Sequence, residues 1–100
     1  MMSYRKGFPR IPITLDTWSE RHPVAKSIAS GSYWFDAWVS QRTTYYSRLS
    51  HLTGIPANRF IAISQGDRVS RAEVDALARA WSISANDLIA SMPSPDLVVD

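Results

Sequence analysis

The segment between residues 48 and 92 constrains the fold most, because apolar side chains recur in it at helical spacing and short breaks separate the runs. The first run ends in Thr53-Gly54-Ile55, where the glycine permits a tight turn. The next run places Phe60 and Ile63 on one helical face and stops at Gly66. This pattern predicts a series of short helices joined by tight turns.

Two further helices are predicted after Gly66. Ser70-Arg71-Ala72-Glu73 has the spacing of a capping box, in which a hydroxyl and a carboxylate satisfy reciprocal backbone donors. The apolar stripe of the helix that it opens consists of Val74, Leu77, Ala78 and Trp81. Ser84 is expected to cap a last helix, which buries Leu88 and ends before Pro93.

The N-terminal third is predicted to begin as an extended arm, because Gly7, Pro9 and Pro12 interrupt any regular helix there. Thr17-Trp18-Ser19-Glu20 then fits a second capping box and is expected to open a short helical turn. Another helical piece is predicted from residue 23 to about residue 29.

A longer helix is predicted over residues 33–42. One face of this helix follows the i, i+3, i+4, i+7 pattern and consists of Phe35, Trp38, Val39 and Arg42. Thr43 or Thr44 is expected to cap the following helix, which runs to about Thr53.

Residues 48–92 resemble the Xre-type helix-turn-helix domains, the family of phage lambda repressor and Cro. The resemblance rests on the spacing over residues 49–66, on Gly54 in the turn, and on Ser50 where the second and third helices cross closely. It implies an all-α fold, a compact bundle of about five to six short helices with an extra N-terminal helical segment. It also implies double-stranded DNA as the partner, with the third helix, about residues 56–64, in the major groove.

The chain is divided accordingly into four parts. We expect an extended basic arm over residues 1–13, an N-terminal helical extension over residues 14–31, the helix-turn-helix domain over residues 32–92, and a mobile acidic tail over residues 93–100. One hundred residues, of which 45% are hydrophobic, suffice for one globular domain with a modest core.

The resemblance implies which side chains meet the bases. The base-reading positions of that family are here Ala57, Asn58 and Ala62, and Arg59 on the flank of the same helix is added as a further base contact. Asn58 can pair with adenine through two hydrogen bonds, whereas an alanine can only touch a thymine methyl group.

Phosphate contacts are expected from side chains around this helix. Six arginines and three acidic residues lie between residues 40 and 79, although the formal net charge of the whole chain is only +2. Tyr46 stands where the family often places a glutamine against a phosphate; alternatively, one of Tyr45 and Tyr46 packs against Trp38 while the other is exposed. The expected phosphate contacts are Arg42, Tyr46, Arg48, Arg68 and Arg71.

Aromatic residues are crowded into the N-terminal half of the chain. Phe35 and Trp38 suit the core, but so small a domain cannot easily bury the rest as well. We therefore expect Trp18, Tyr33 and Trp34 to form a dimer or partner surface. A homodimer is expected, because relatives of this type usually bind two half-sites.

The composition argues against several other classes. The chain has no cysteine, which excludes disulfides and thiolate metal sites and makes the cytoplasm the expected location. No apolar run approaches the ~20 residues that span a bilayer. His22 and His51 are isolated, and no catalytic motif is recognisable. We expect no enzyme activity, cofactor, metal, membrane association or small-molecule ligand.

Two functions remain open at this point. The first is a DNA-binding transcriptional regulator of bacterial or phage type. The second is a protein-interaction module that keeps the helix-turn-helix fold but binds protein through its apolar third helix and its aromatic N-terminal surface.

Overall fold

The computed structural model describes residues 14–100, so the predicted basic arm over residues 1–13 lies outside the described range. The α-helices of that range are α1 (Pro23–Ala29), α2 (Trp34–Gln41), α3 (Tyr46–Thr53), α4 (Ala57–Ser64), α5 (Arg71–Ala80) and α6 (Ala85–Ala90). Two short strands, β1 (Val69–Ser70) and β2 (Val98–Val99), form a small parallel pair. The prediction of a mainly helical bundle is confirmed, and the strand pair is an addition to it.

Two tryptophans stack at the centre of the core. The rings of Trp38 on α2 and Trp81 at the end of α5 lie 5.4 Å apart at an interplanar angle of 11°. Each indole N–H has an acceptor: Trp38 donates to Ser91 Oγ at 2.9 Å, and Trp81 donates to Thr44 Oγ1 at 3.0 Å. Because an unpaired buried donor costs ~1–3 kcal/mol, these two bonds help to select one arrangement of α2 against α5.

α3 and α4 are joined by the short turn that the sequence predicts. Gly54 is left-handed, with φ of 77°, and its N–H donates to the carbonyl of Ser50 at 2.8 Å. The Ser50 hydroxyl in turn donates to the carbonyl of Ile55 at 2.6 Å, which ties the end of α3 to the turn. Phe60 and Ile63 of α4 are fully buried, so the predicted phase of this helix is confirmed.

The second half of the chain follows the predicted caps. Ser70 and Glu73 form both bonds of the capping box, at 3.1 Å and 2.9 Å, and α5 begins there. Ser84 caps α6 by accepting the N–H of Asp87 at 3.1 Å, and Leu88 is buried. The predicted stripe of α5 is buried in full: Val74, Leu77, Ala78 and Trp81.

The helical turn predicted to start at Thr17 starts two residues later, where the N–H of His22 donates to the carbonyl of Ser19 at 3.0 Å. The N–H of Thr17 is taken by the Asp16 carboxylate at 2.9 Å, and Asp16 forms an isolated parallel bridge with Ile83. Its own N–H donates to the carbonyl of Ser82 at 2.8 Å. Because Asp16 takes the N–H of Thr17, which the capping box would need, the spacing at residues 17–20 goes unused.

Helix α1 begins instead at Pro23, as predicted for the second helical piece, and ends at Ala29. Its cap is a histidine: Nδ1 of His22 accepts the N–H of Val24 at 3.1 Å. Gly31 follows the helix with φ of 112°, a conformation that favours glycine.

The expected threonine cap of α3 is also wrong. Tyr45 occupies the cap position, and its side chain makes no capping bond. Thr44 is buried instead, because its hydroxyl is needed as the acceptor for Trp81. The Thr44 hydroxyl therefore accepts from Trp81, a residue distant in sequence, and does not cap the start of α3.

The end of the chain differs from the mobile tail predicted over residues 93–100. Residues Pro95–Leu97 form a 3-10 helix, and Val98 and Val99 then pair with Val69 and Ser70. This corrects the purely all-α prediction. Two-residue strands leave no alternating pattern in the sequence, so the pairing was not predictable from periodicity.

Candidate nucleic-acid interface

Helix α4 turns a small polar and aliphatic face away from the core. We define the α4 face as the outward positions of this helix together with its C-terminal cap residue, Gln65. The outward positions are Ala57, Asn58, Ile61 and Ala62. Ala62 is half-buried and the other four side chains are exposed. Three of the four predicted base contacts, Ala57, Asn58 and Ala62, thus lie together on one face.

Arg59, the fourth predicted base contact, is engaged within the domain. Its Nε and Nη2 donate to the two carboxylate oxygens of Glu73 at 2.8 Å and 3.1 Å. Nη1 donates to Asp67 at 2.5 Å, and Nη2 donates also to the carbonyl of Arg68 at 2.5 Å. Because these bonds occupy most of the five guanidinium donors, the assignment of Arg59 to a base is corrected.

Arg59, Asp67 and Glu73 stabilise one another in their charged forms. The hydrogen bond from Arg59, together with the Ser70 backbone, holds the pKa of Glu73 below its ordinary value, although burial opposes the shift. The same guanidinium and the backbone N–H of Arg68 lower the pKa of Asp67. The two carboxylates raise the pKa of Arg59. All three groups therefore remain charged at neutral pH and tie α4 to the start of α5.

Three of the predicted phosphate contacts are exposed. Arg48 lies on α3, Arg68 lies in the connection between α4 and β1, and Arg71 is the first residue of α5. Arg71 Nε lies 3.5 Å from Asp75 Oδ1, with both side chains about half exposed. Surface pairs of this kind contribute at most about 1 kcal/mol, so Arg71 can exchange Asp75 for another anion at little cost.

The other two predicted phosphate contacts are placed differently. Arg42 bonds to the carboxylate of Asp16, and its guanidinium lies 5.5 Å from the centre of the Trp38 ring. Tyr46 is half-buried and packs on Phe60 and Phe35, with ring centres 5.5 Å and 6.3 Å away. Arg42 thus bonds to the N-terminal extension through Asp16. Tyr46 packs against the two phenylalanines and not against Trp38.

The predicted aromatic partner surface is smaller than expected. Trp34 is only 1% exposed, so its assignment to a surface is wrong. Trp18 and Tyr33 are half-buried, and Trp18 packs on His22 and Trp38 at ring distances of 5.3 Å and 6.1 Å. The reason is that α1 packs along α2, which gives these aromatic rings an interface to fill.

Exposed apolar side chains also occur at the start of α3, on α3 and on α4. Tyr45 is 70% exposed, Ile61 is 51% exposed, and Leu52 is exposed to a similar degree. These side chains are large enough to contact a partner.

A second polar cluster lies in a cleft of about 250 Å³ beside α1 and α2. Its lining residues are Asp16, His22, Pro23, Gln41 and Arg42. One carboxylate oxygen of Asp16 accepts from His22 Nε2 at 2.5 Å and from Arg42. Sequence reasoning missed this cluster, because its members are separated along the chain and carry no shared motif.

The polar groups of this cleft bind one another and thereby stabilise the fold. Burial acts against ionisation of Asp16, but hydrogen bonds from His22 and the Thr17 backbone, with the charge of Arg42, hold its pKa below the ordinary value. Because His22 Nδ1 accepts the N–H of Val24, the ring proton that meets Asp16 is on Nε2. Both ring nitrogens are thus used to fix the extension against α1 and α2.

Between residues 14 and 100, no three histidine or acidic side chains are grouped so as to hold a metal ion. No helix in that range has the length and apolar character needed to cross a membrane.

The chain was compared with known proteins in three ways. Neither protein-family models, nor curated proteins, nor solved structures gave a match.

Proposed function

We propose that this protein is a DNA-binding transcriptional regulator of bacterial or phage type that places α4 in the major groove. The observation that carries the proposal is the unit of α3, the left-handed Gly54 and α4, which buries Phe60 and presents Asn58 outward. In helix-turn-helix proteins the second helix of such a unit contacts base edges with its N-terminal residues. The resemblance of residues 48–92 to Xre-type domains supports the same placement.

Charge supports this proposal. Three exposed arginines lie near α4. Arg48 is on α3, which packs against α4, and Arg68 is in the connection that follows α4. Arg71 begins α5, which packs against α3. No acidic residue occurs in α4, so this helix carries no formal charge that would repel phosphate. Pro56 caps α4 without a side-chain acceptor, and backbone N–H groups at such a helix start are suited to a phosphate oxygen.

Association is part of the same proposal. A homodimer in the cytoplasm would present two copies of α4 to half-sites about one helical turn apart, which doubles the contact area. Analytical ultracentrifugation with and without duplex DNA measures this directly: the complex should contain two chains per duplex.

The test of DNA binding is a titration of random-sequence duplex across a salt series. The logarithm of the binding constant should fall linearly with the logarithm of the salt concentration, with a slope of about −0.9 per phosphate contact. Arg48→Ala and Arg68→Ala should each make the slope shallower by about 1 and weaken binding on all sequences alike.

Lys26→Ala is the matched control. It also removes one exposed positive charge, but on α1, outside the α3–α4 unit. This variant should keep the slope of the unmodified protein. Binding that does not depend on salt, or absence of binding at low salt, contradicts the proposal.

A second function is favoured by one observation, the exposure of Tyr45, Leu52 and Ile61 on α3 and α4. They lie on two helices that pack against each other, and exposed apolar side chains of this kind bind protein partners. The two functions respond differently to substitution. Ile61→Asp should abolish capture of a protein partner by burying an unpaired charge, whereas Asn58→Ala should leave that capture intact.

A further inference from the structure

The four base pairs differ in what they ask of a protein in the major groove. Guanine is usually bound by arginine or lysine, adenine by asparagine or glutamine, and cytosine by a carboxylate. Thymine alone presents a methyl group, which apolar side chains contact. The side chains available on α4 therefore limit the bases that it can read.

Contacts to guanine and cytosine of the usual kind are missing from α4. Arg59 is the one basic residue of this helix, and its guanidinium is bound to Glu73, Asp67 and the carbonyl of Arg68. Releasing it would leave the Glu73 carboxylate, which is only 18% exposed, without its charged partner. The helix contains no aspartate or glutamate that could accept from cytosine.

What remains on the α4 face suits adenine and thymine. The exposed amide of Asn58 places an N–H donor beside a carbonyl acceptor, the pattern that N7 and N6 of adenine require. Ile61 and Ala62 follow it by three and four positions, so they are its neighbours on the helix surface. Their aliphatic carbons provide apolar contact beside the amide, and Gln65 adds a second amide two turns after Asn58.

We infer that α4 reads adenine–thymine pairs, with Asn58 on adenine and with Ile61 and Ala62 on the thymine 5-methyl group of a neighbouring pair. This inference rests on the proposed function, which it refines by naming the base composition of the half-site. The ligand is thus duplex DNA with an A·T core in each half-site.

Selection from a random duplex library tests the base composition. Bound sequences should be enriched in A·T pairs at two or more adjacent positions of each half-site. Asn58→Ala should reduce the preference for the selected site over a random duplex by between about fivefold and about 150-fold, equivalent to ~1–3 kcal/mol.

The methyl contact has its own test. Replacing thymine by deoxyuridine in the selected site removes the 5-methyl group and leaves every hydrogen-bonding group in place. The unmodified protein should bind the uracil site several-fold more weakly, and Ile61→Ala should remove most of that difference. Leu15→Ala, which truncates an exposed leucine in the N-terminal extension, should retain it.

The outcomes separate this inference from the function on which it rests. Absence of binding to every duplex would overturn the proposed function. Binding with enrichment of G·C pairs would overturn only the inference. Enrichment of A·T pairs that is indifferent both to deoxyuridine and to Asn58→Ala would also overturn it, because the preference would then come from DNA shape.

Discussion

Arg59 and Glu73 face each other through two hydrogen bonds, from Nε to Oε2 at 2.8 Å and from Nη2 to Oε1 at 3.1 Å. Oε1 of Glu73 also accepts the N–H of Ser70 at 2.9 Å. One carboxylate thus closes the capping box of α5 and holds an arginine of α4. A side chain that had been predicted to contact DNA therefore links α4 to the start of α5.

Arg59→Ala is predicted to lower the free energy of unfolding by about 2 kcal/mol, because hydrogen bonds to charged groups contribute ~1.5–3 kcal/mol and Glu73 loses its partner. Urea denaturation measures the change. The control is Arg71→Ala, which breaks an exposed pair with Asp75 and should cost at most about 0.5 kcal/mol. Equal stability of the two variants would contradict the role assigned to Arg59.

The sequence predicts most of α4, α5 and α6 because their signals are local. The capping box at residues 70–73, the glycine at 54 and the apolar stripes all lie within one or two helical turns. The bonds of Arg59 are different, since Asp67 and Glu73 lie 8 and 14 residues away. A position on the flank of a helix does not determine which way a long side chain bends.

The burial of Trp34 shows a second limit. The predicted stripe of α2 runs through Phe35 and Trp38, and Trp34, four residues before Trp38, lies at its edge. In the folded chain α2 contacts both α1 and α4, so a wider arc of the helix is covered. How much of a helix is buried depends on the number of its neighbours, which the sequence does not state.

The neighbours Phe60 and Ile61 give a matched test of the phase of α4. Phe60 is fully buried and packs on Phe35 with ring centres 5.8 Å apart, whereas Ile61 is 51% exposed. Phe60→Ala should cost ~3–5 kcal/mol and leave a domain of this size largely unfolded. Ile61→Ala should change stability by about 0.5 kcal/mol or less. Thermal unfolding followed by circular dichroism distinguishes them, and an unchanged Phe60→Ala midpoint would show that the phase is wrong.

Because β2 pairs with β1, we expect the end of the chain to stabilise the fold. Val98 pairs with the fully buried Val69, and both Leu97 and Val98 pack against the core. Removal of residues 95–100 should lower the free energy of unfolding by about 1–3 kcal/mol through lost apolar burial. It should also accelerate hydrogen exchange at β1. Deletion of Asp100 alone is the control, and a truncation as stable as this control would mean that the pairing contributes nothing.

Stability should also depend on acid pH in a way that Arg59 controls. The pKa values of Glu73 and Asp67 are lowered on folding, chiefly by hydrogen bonds from Arg59, from ordinary values of 4.5 and 3.8. A carboxyl group with a lower pKa in the folded state binds fewer protons there than in the unfolded chain. Its contribution is therefore complete above the unfolded pKa and is lost as the pH falls through the folded pKa.

The free energy of unfolding should accordingly be nearly constant with respect to these groups between pH 7 and about pH 5, and should decrease on further acidification. In Arg59→Gln the value at neutral pH should be lower and the decrease below about pH 4.5 shallower, because Glu73 and Asp67 have lost the partner that lowers their pKa. The exposed Arg48→Gln serves as the charge-matched control and should keep the original profile. Urea unfolding across the pH range measures all three proteins. Parallel profiles for the unmodified protein and Arg59→Gln would show that Arg59 does not hold these carboxylates in the folded state.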